Sequence, residues 1–145
     1  MARVTVENIK DLGFTFQMFG LDNESSLELY IQDIIDDAGA ILEGVIGSTT
    51  YNSASSPTAG YVKRAEKCLV ASELLQRRIN RVLNNVTASD DKISTRNEEQ
   101  QMQRYQDEAE KLISLLTGDT DYSFGIVKTS HFEETSGPGG LEVSG

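Results

Sequence analysis

Leu27, Ile31, Ile34, Ala38, Ile41 and Val45 recur at steps of three and four. An α-helix gathers that spacing on one face, whereas a strand scatters it over both. Ile35 and Leu42 widen the stripe, so residues 22 to 46 read as an amphipathic helix. Ser25-Ser26-Leu27-Glu28 has the form of a capping box, with Ser25 accepting from a first-turn amide and Glu28 reaching back. Gly47 is the expected left-handed cap at the other end. Gly39 and Gly44 lie inside the helix, each at a cost of about 1 kcal/mol relative to Ala. Simple local instability and close approach of another backbone explain them equally well.

Two further segments repeat the pattern. Residues 48 to 56 are a polar loop, and Pro57 after Ser56 is expected at the first helical position. A long helix then runs to about Leu83 on Tyr61, Ala65, Cys68, Leu69, Leu75, Ile79 and Val82, until residues 87–91 break it. The third helix spans Thr95 to Thr117, with Met102, Tyr105, Ala109, Leu112, Ile113 and Leu116 as its apolar face and Gly118 as its end. Its first half is almost wholly polar, so it should project into solvent or a cavity. A short helix from Val6 to Leu12 leads in, followed by Phe14, Phe16 and Phe19 in a loop or strand. The expected fold is all-α: a small bundle of three main helices plus a short N-terminal helix over residues 1–118.

Residues 119–145 read as an extended C-terminal arm. Tyr122, Phe124 and Ile126 alternate, with Val127 beside them, as in a short β-strand. His131, Phe132 and a Gly/Ser/Pro-rich end follow, and such runs behave as linkers. An isolated strand needs a partner. The arm therefore either frays or orders by joining another subunit, and its aromatic and β-branched residues favour the second.

Composition closes off several functions. Thirteen Lys and Arg against 23 Asp and Glu give a net charge of −10 over 145 residues. That balance opposes tight phosphate binding and docking on an anionic membrane. No apolar run is long enough to span a bilayer. The first residues lack the apolar core of a secretion signal, so the expected place of synthesis and folding is a cytoplasm.

Catalytic inventory is sparse. A lone Cys68 and a lone His131 preclude a Cys/His zinc site within one chain and leave no nucleophile–histidine pair outside the arm. Cys68, inside an apolar stripe, reads as a buried small hydrophobe. Asp33, Asp36, Asp37 and Glu43 form an acidic face, and Asp33 with Asp37 shares a helix side. A cation site or an acid–base pair there would need a second set of ligands at diagnostic spacing, so solvated or interface-facing carboxylates are the better reading. The glycine run at 137–140 precedes no helix and is not a phosphate loop. No enzyme, metal or cofactor is expected.

Charge is distributed in blocks. Asp11 to Val62 holds eight acidic residues and no basic one; Lys63 to Arg81 holds six basic residues, Lys63, Arg64, Lys67, Arg77, Arg78 and Arg81, beside Glu66 and Glu73. The acidic and basic helices either pair within one hairpin or present opposite faces to a neighbouring copy, head to tail. Arg77, Arg78 and Arg81 are the candidates for meeting an acidic neighbour.

The segment Glu28 to Gly47, ending Ala-Gly-Ala-Ile-Leu-Glu-Gly-Val-Ile-Gly, together with the following Pro57-Thr-Ala-Gly-Tyr-Val-Lys-Arg-Ala-Glu-Lys-Cys-Leu stretch, resembles the paired helices of tailed-phage head–tail connector (adaptor) proteins. The resemblance covers residues 24 to 83, and the third helix and arm agree in layout. It implies a structural virion protein, made in the host bacterial cytoplasm. In that role a dodecameric ring sits in the neck between the portal protein and a downstream neck or tail protein, with genomic DNA passing through without sequence-specific binding. Phe124, Ile126, Val127 and Phe132 are then the arm's candidate contacts with the portal or a neighbouring subunit. A cytoplasmic helical module that binds one protein partner is the alternative.

Overall fold

The computed structural model describes residues 3–85 and 95–118. Over them the chain is a helical bundle of α1 (Val6–Lys10), α2 (Glu24–Ile46), α3 (Ser48–Tyr51), α4 (Thr58–Asn85) and α5 (Arg96–Thr117), with a 3-10 turn at Phe16–Phe19. The all-α expectation therefore holds, with three long helices as the frame. The Phe-rich lead-in is the 3-10 turn, and the three phenylalanines pack on the α2–α4 core.

Local chemistry sets the helix ends, not always with the residues expected. Thr5 and Asn8 form a reciprocal capping box on α1. At α2 the cap is Asn23, whose side chain accepts from the Ser26 amide at 2.9 Å, and not Ser25. Asparagine caps as well as serine. Glu28 is drawn away from the backbone by Lys10, whose ammonium lies 2.8 Å from its carboxylate. Gly47 has positive φ (+90°), but its ψ of 151° is extended, so the chain passes directly into α3. The supposed polar loop thus contains a helical turn that buries Tyr51. Pro57 precedes α4, its carbonyl accepting from the Tyr61 amide. Gly118 closes α5 in the left-handed conformation, as expected.

α4 is the central helix, antiparallel to α2 on one side and to α5 on the other. Tyr30 near the start of α2 lies against Arg77 near the end of α4, while Leu42 and Ile46 meet Val62. Leu112 and Ile113 of α5 join the same cluster with Ala65. A second cluster unites Leu27, Ile31, Ile34 and Ile35 with Val70 and Leu74, and is roofed by Val4, Ile9 and the phenylalanines. Each fully buried Leu or Ile contributes about 1.5–3 kcal/mol. Being covered on two sides, α4 buries Val62, Val70, Ala71 and Leu74, which a single-stripe reading misses, and leaves Tyr61 37% exposed. α2 is covered on one side only, so Ile41 is 55% exposed instead of completing the stripe.

The two helical glycines of α2 divide. Gly39 is buried, whereas Gly44 is exposed and a Cβ built there meets nothing within 4 Å. Nothing among the described residues requires glycine at 44, so Gly44→Ala should raise the unfolding free energy by about 1 kcal/mol. A shift of the urea midpoint with unchanged slope checks it; a loss of stability would reveal a backbone contact.

Candidate interaction surfaces

The acidic face of α2 is solvent-facing. Asp33, Asp36 and Asp37 are exposed; Asp36 accepts from the Gln32 amide at 2.9 Å and Glu43 from the Ser48 hydroxyl at 2.7 Å. Among the described residues, no three His, Cys, Asp or Glu side chains come together as a metal site, and no helix is long and apolar enough to cross a membrane. The acidic stripe does not pair with α4 inside the chain. Leu29, 71% exposed, and Ile41 flank it.

The three arginines singled out by the charge blocks all lie against other parts of the chain. Arg77 bonds Glu73 at 2.8 Å and lies 5.3 Å over the Tyr30 ring. Arg78 donates to the Met18 carbonyl at 3.3 Å. The Arg81 guanidinium sits against Gly20, where a Cβ would come within 2.5–2.8 Å of it, and Gly20 holds φ +70°. Arg78 and Arg81 thus lie against the 3-10 turn and Gly20 behind it, whereas Arg77 ties α4 to Tyr30 of α2, and Arg77 and Arg81 share a 300 Å³ hollow with Phe19, Tyr30 and Asn84. Arg77 and Arg78 are half-buried and Arg81 is exposed, so each combines a contact at home with surface that an acidic neighbour can reach.

What remains basic and open is the first half of α4. Lys63 and Lys67 edge a cleft of about 390 Å³ with Leu12, Gly60, Cys68 and Tyr105. Arg64 on its rim is committed to an ion pair with Glu108 of α5. Neither lysine makes an ion pair among the described residues. Cys68 forms part of the floor, and burial first, then the nearby Glu108 charge, pushes its thiol up to about 11. It stays a neutral thiol near pH 7, in keeping with a packing role and not with a nucleophile.

One constellation has no counterpart in the sequence reading. Glu66 is fully buried on α4, and its carboxylate accepts from the Arg3 and Val4 amides, each at 2.7 Å, and from the Tyr51 hydroxyl. Arg3 in turn donates to the Tyr51 and Ser53 carbonyls at 2.8 and 2.6 Å. This clasp ties the chain's start to α3 and α4. Desolvation, and then the bond to Glu66, pushes the Tyr51 phenol far above its usual range. The available signal was positional: Glu66 stands four residues from both Val62 and Val70, on their side of the helix.

Phe124, Ile126, Val127 and Phe132, the arm's candidate contacts, and the expected strand lie outside the described residues. No protein-family description, curated protein or solved structure matches this chain.

Proposed function

We propose that this chain is a structural subunit of the head–tail connector of a tailed bacteriophage, assembling into a ring between the portal protein and the next neck or tail protein. The observation that carries the reading is the segregation of unneutralised charge. Asp33 and Asp37 face outward from α2, while Lys63 and Lys67 edge a cleft on α4, and the two sets do not meet within one chain. Opposite faces of this kind select a neighbour and its register more than they stabilise a monomer. Exposed Leu29, Ile41, Leu83 and Leu115 add apolar area suited to contacts with partners. A ring of −10 subunits would let DNA slide past without adhering. The resemblance of residues 24 to 83 to connector helices supplies the identity of the assembly, and the arm residues are assigned to portal or neighbour contacts.

Electron microscopy of the purified chain tests the ring directly: annular particles with a central opening are expected. A chain cut after Gly118 retains both hydrophobic clusters. It should keep its helical circular dichroism yet fail to join heads to tails when it replaces the full chain in the phage that encodes it. Undiminished infectious yield from that truncation would remove the arm from the reading.

A further inference from the structure

α1 and the 3-10 turn cover only part of α4. They meet its later half through Arg78 and Arg81, while on its first half Gly60, Lys63 and Lys67 border a cleft that Leu12 reaches from the other side. We infer that this cleft at Lys63 and Lys67 is the docking site for the acidic face of α2 in a second copy of the chain. The inference rests on the self-assembly part of the connector reading and names the surfaces that carry it.

Spacing and charge make the match. Lys63 and Lys67 are four residues apart on α4, and Asp33 and Asp37 are four apart on α2, so each pair spans roughly 6 Å of helix. Two helices laid side by side can therefore set two ammoniums against two carboxylates in one register. All four lack an ion-pair partner among the described residues. Arg64 is paired with Glu108, which leaves the two lysines to meet Asp33 and Asp37, with Asp36 beside them adding a third negative charge to the α2 face.

Apolar surface accompanies the charge on both sides: Leu29 and Ile41 bracket the aspartates, and Leu12 and Tyr105 line the cleft. Gly60 adds no obstruction, since its Cβ position is open. α2 presents this face away from α4, so one chain cannot close the contact on itself. The contact is heterologous, and repetition yields a ring or an open chain.

A charge exchange tests the pairing in the full-length protein. Lys63→Glu/Lys67→Glu and Asp33→Lys/Asp37→Lys should each keep wild-type helicity and each weaken self-association by roughly tenfold or more in sedimentation velocity. Mixing the two should restore assembly, because each variant then carries the complement of the other's altered face. Carbodiimide coupling in a mixture of isotope-labelled and unlabelled wild-type chains should join Lys63 or Lys67 to Asp33 or Asp37 between chains.

Wild-type assembly that neither variant weakens overturns this docking site and leaves the connector reading standing. Wild-type protein that remains monomeric and forms no annular particles overturns both. Coupling of these lysines to Asp119 or Asp121 of the same chain also overturns the inference, because the cleft then holds the chain's own C-terminal segment.

Discussion

Glu66→Ala should lower the unfolding free energy by about 3–5 kcal/mol, the largest effect expected from a single side chain here. Three donors lose their acceptor at once: the Arg3 and Val4 amides and the Tyr51 hydroxyl. Each buried group left unpaired costs about 1–3 kcal/mol, and water reaching the vacated space offsets part of that. Glu66→Gln should cost only about 1 kcal/mol, because the amide oxygen still accepts and the Tyr51 hydroxyl can turn to accept from the new NH2. Urea unfolding of the two variants side by side is the measurement. Hydrogen exchange should show the Val4 amide losing protection in the alanine variant before the α2–α4 core does. An alanine variant as stable as the wild type would mean that the clasp holds nothing in place.

The second large effect is alkaline. The Cys68 thiol is held up to about 11 from an ordinary value near 9, and the Tyr51 phenol is displaced upward as well. In both cases the folded state keeps a proton that the unfolded chain releases more readily. Their stabilising contribution is complete below the unfolded pKa and is lost as pH rises through the folded one. For Cys68 that window runs from about 9 to about 11. Tyr51 extends the loss to still higher pH. Lys10, kept charged by Glu24 and then Glu28, acts in the same direction. Urea melts at half-unit steps from pH 8 to 11 should show a falling midpoint, and Cys68→Ala should flatten the part between 9 and 11. A midpoint that stays level through that range in the wild type would show the thiol to be solvated.

The outcomes for Ile41 and Glu66 show where sequence reasoning reaches its limit. Periodicity located all three long helices because backbone hydrogen bonding and side-chain spacing are local properties of a segment. It also marked Ala109, Leu112 and Ile113 as the inner face of α5, where burial confirms them. How many neighbours a helix has is not a local property. α2 has one broad contact and leaves Ile41 in solvent, whereas α4 has two and buries Val70 and Leu74 beyond its expected stripe. Tyr51 looked like part of a polar loop because the reason for its burial, Glu66, lies fifteen residues downstream.

For the candidate surface, the charge blocks were visible in the chain order, and so was the choice between pairing at home and pairing with a neighbour. Sequence alone determined that a −10 chain with one cysteine and one histidine would be a helical bundle with blocks of opposite charge. Only the tertiary structure decided which charges remain available. It sets Arg78 and Arg81 against the N-terminal turn and Arg77 against Glu73 and Tyr30, pairs Arg64 with Glu108, and leaves Lys63, Lys67, Asp33 and Asp37 without an ion pair among the described residues. The physical reason is that helix formation depends on residues within a turn of one another, while the fate of a charge depends on what packing brings beside it from far along the chain.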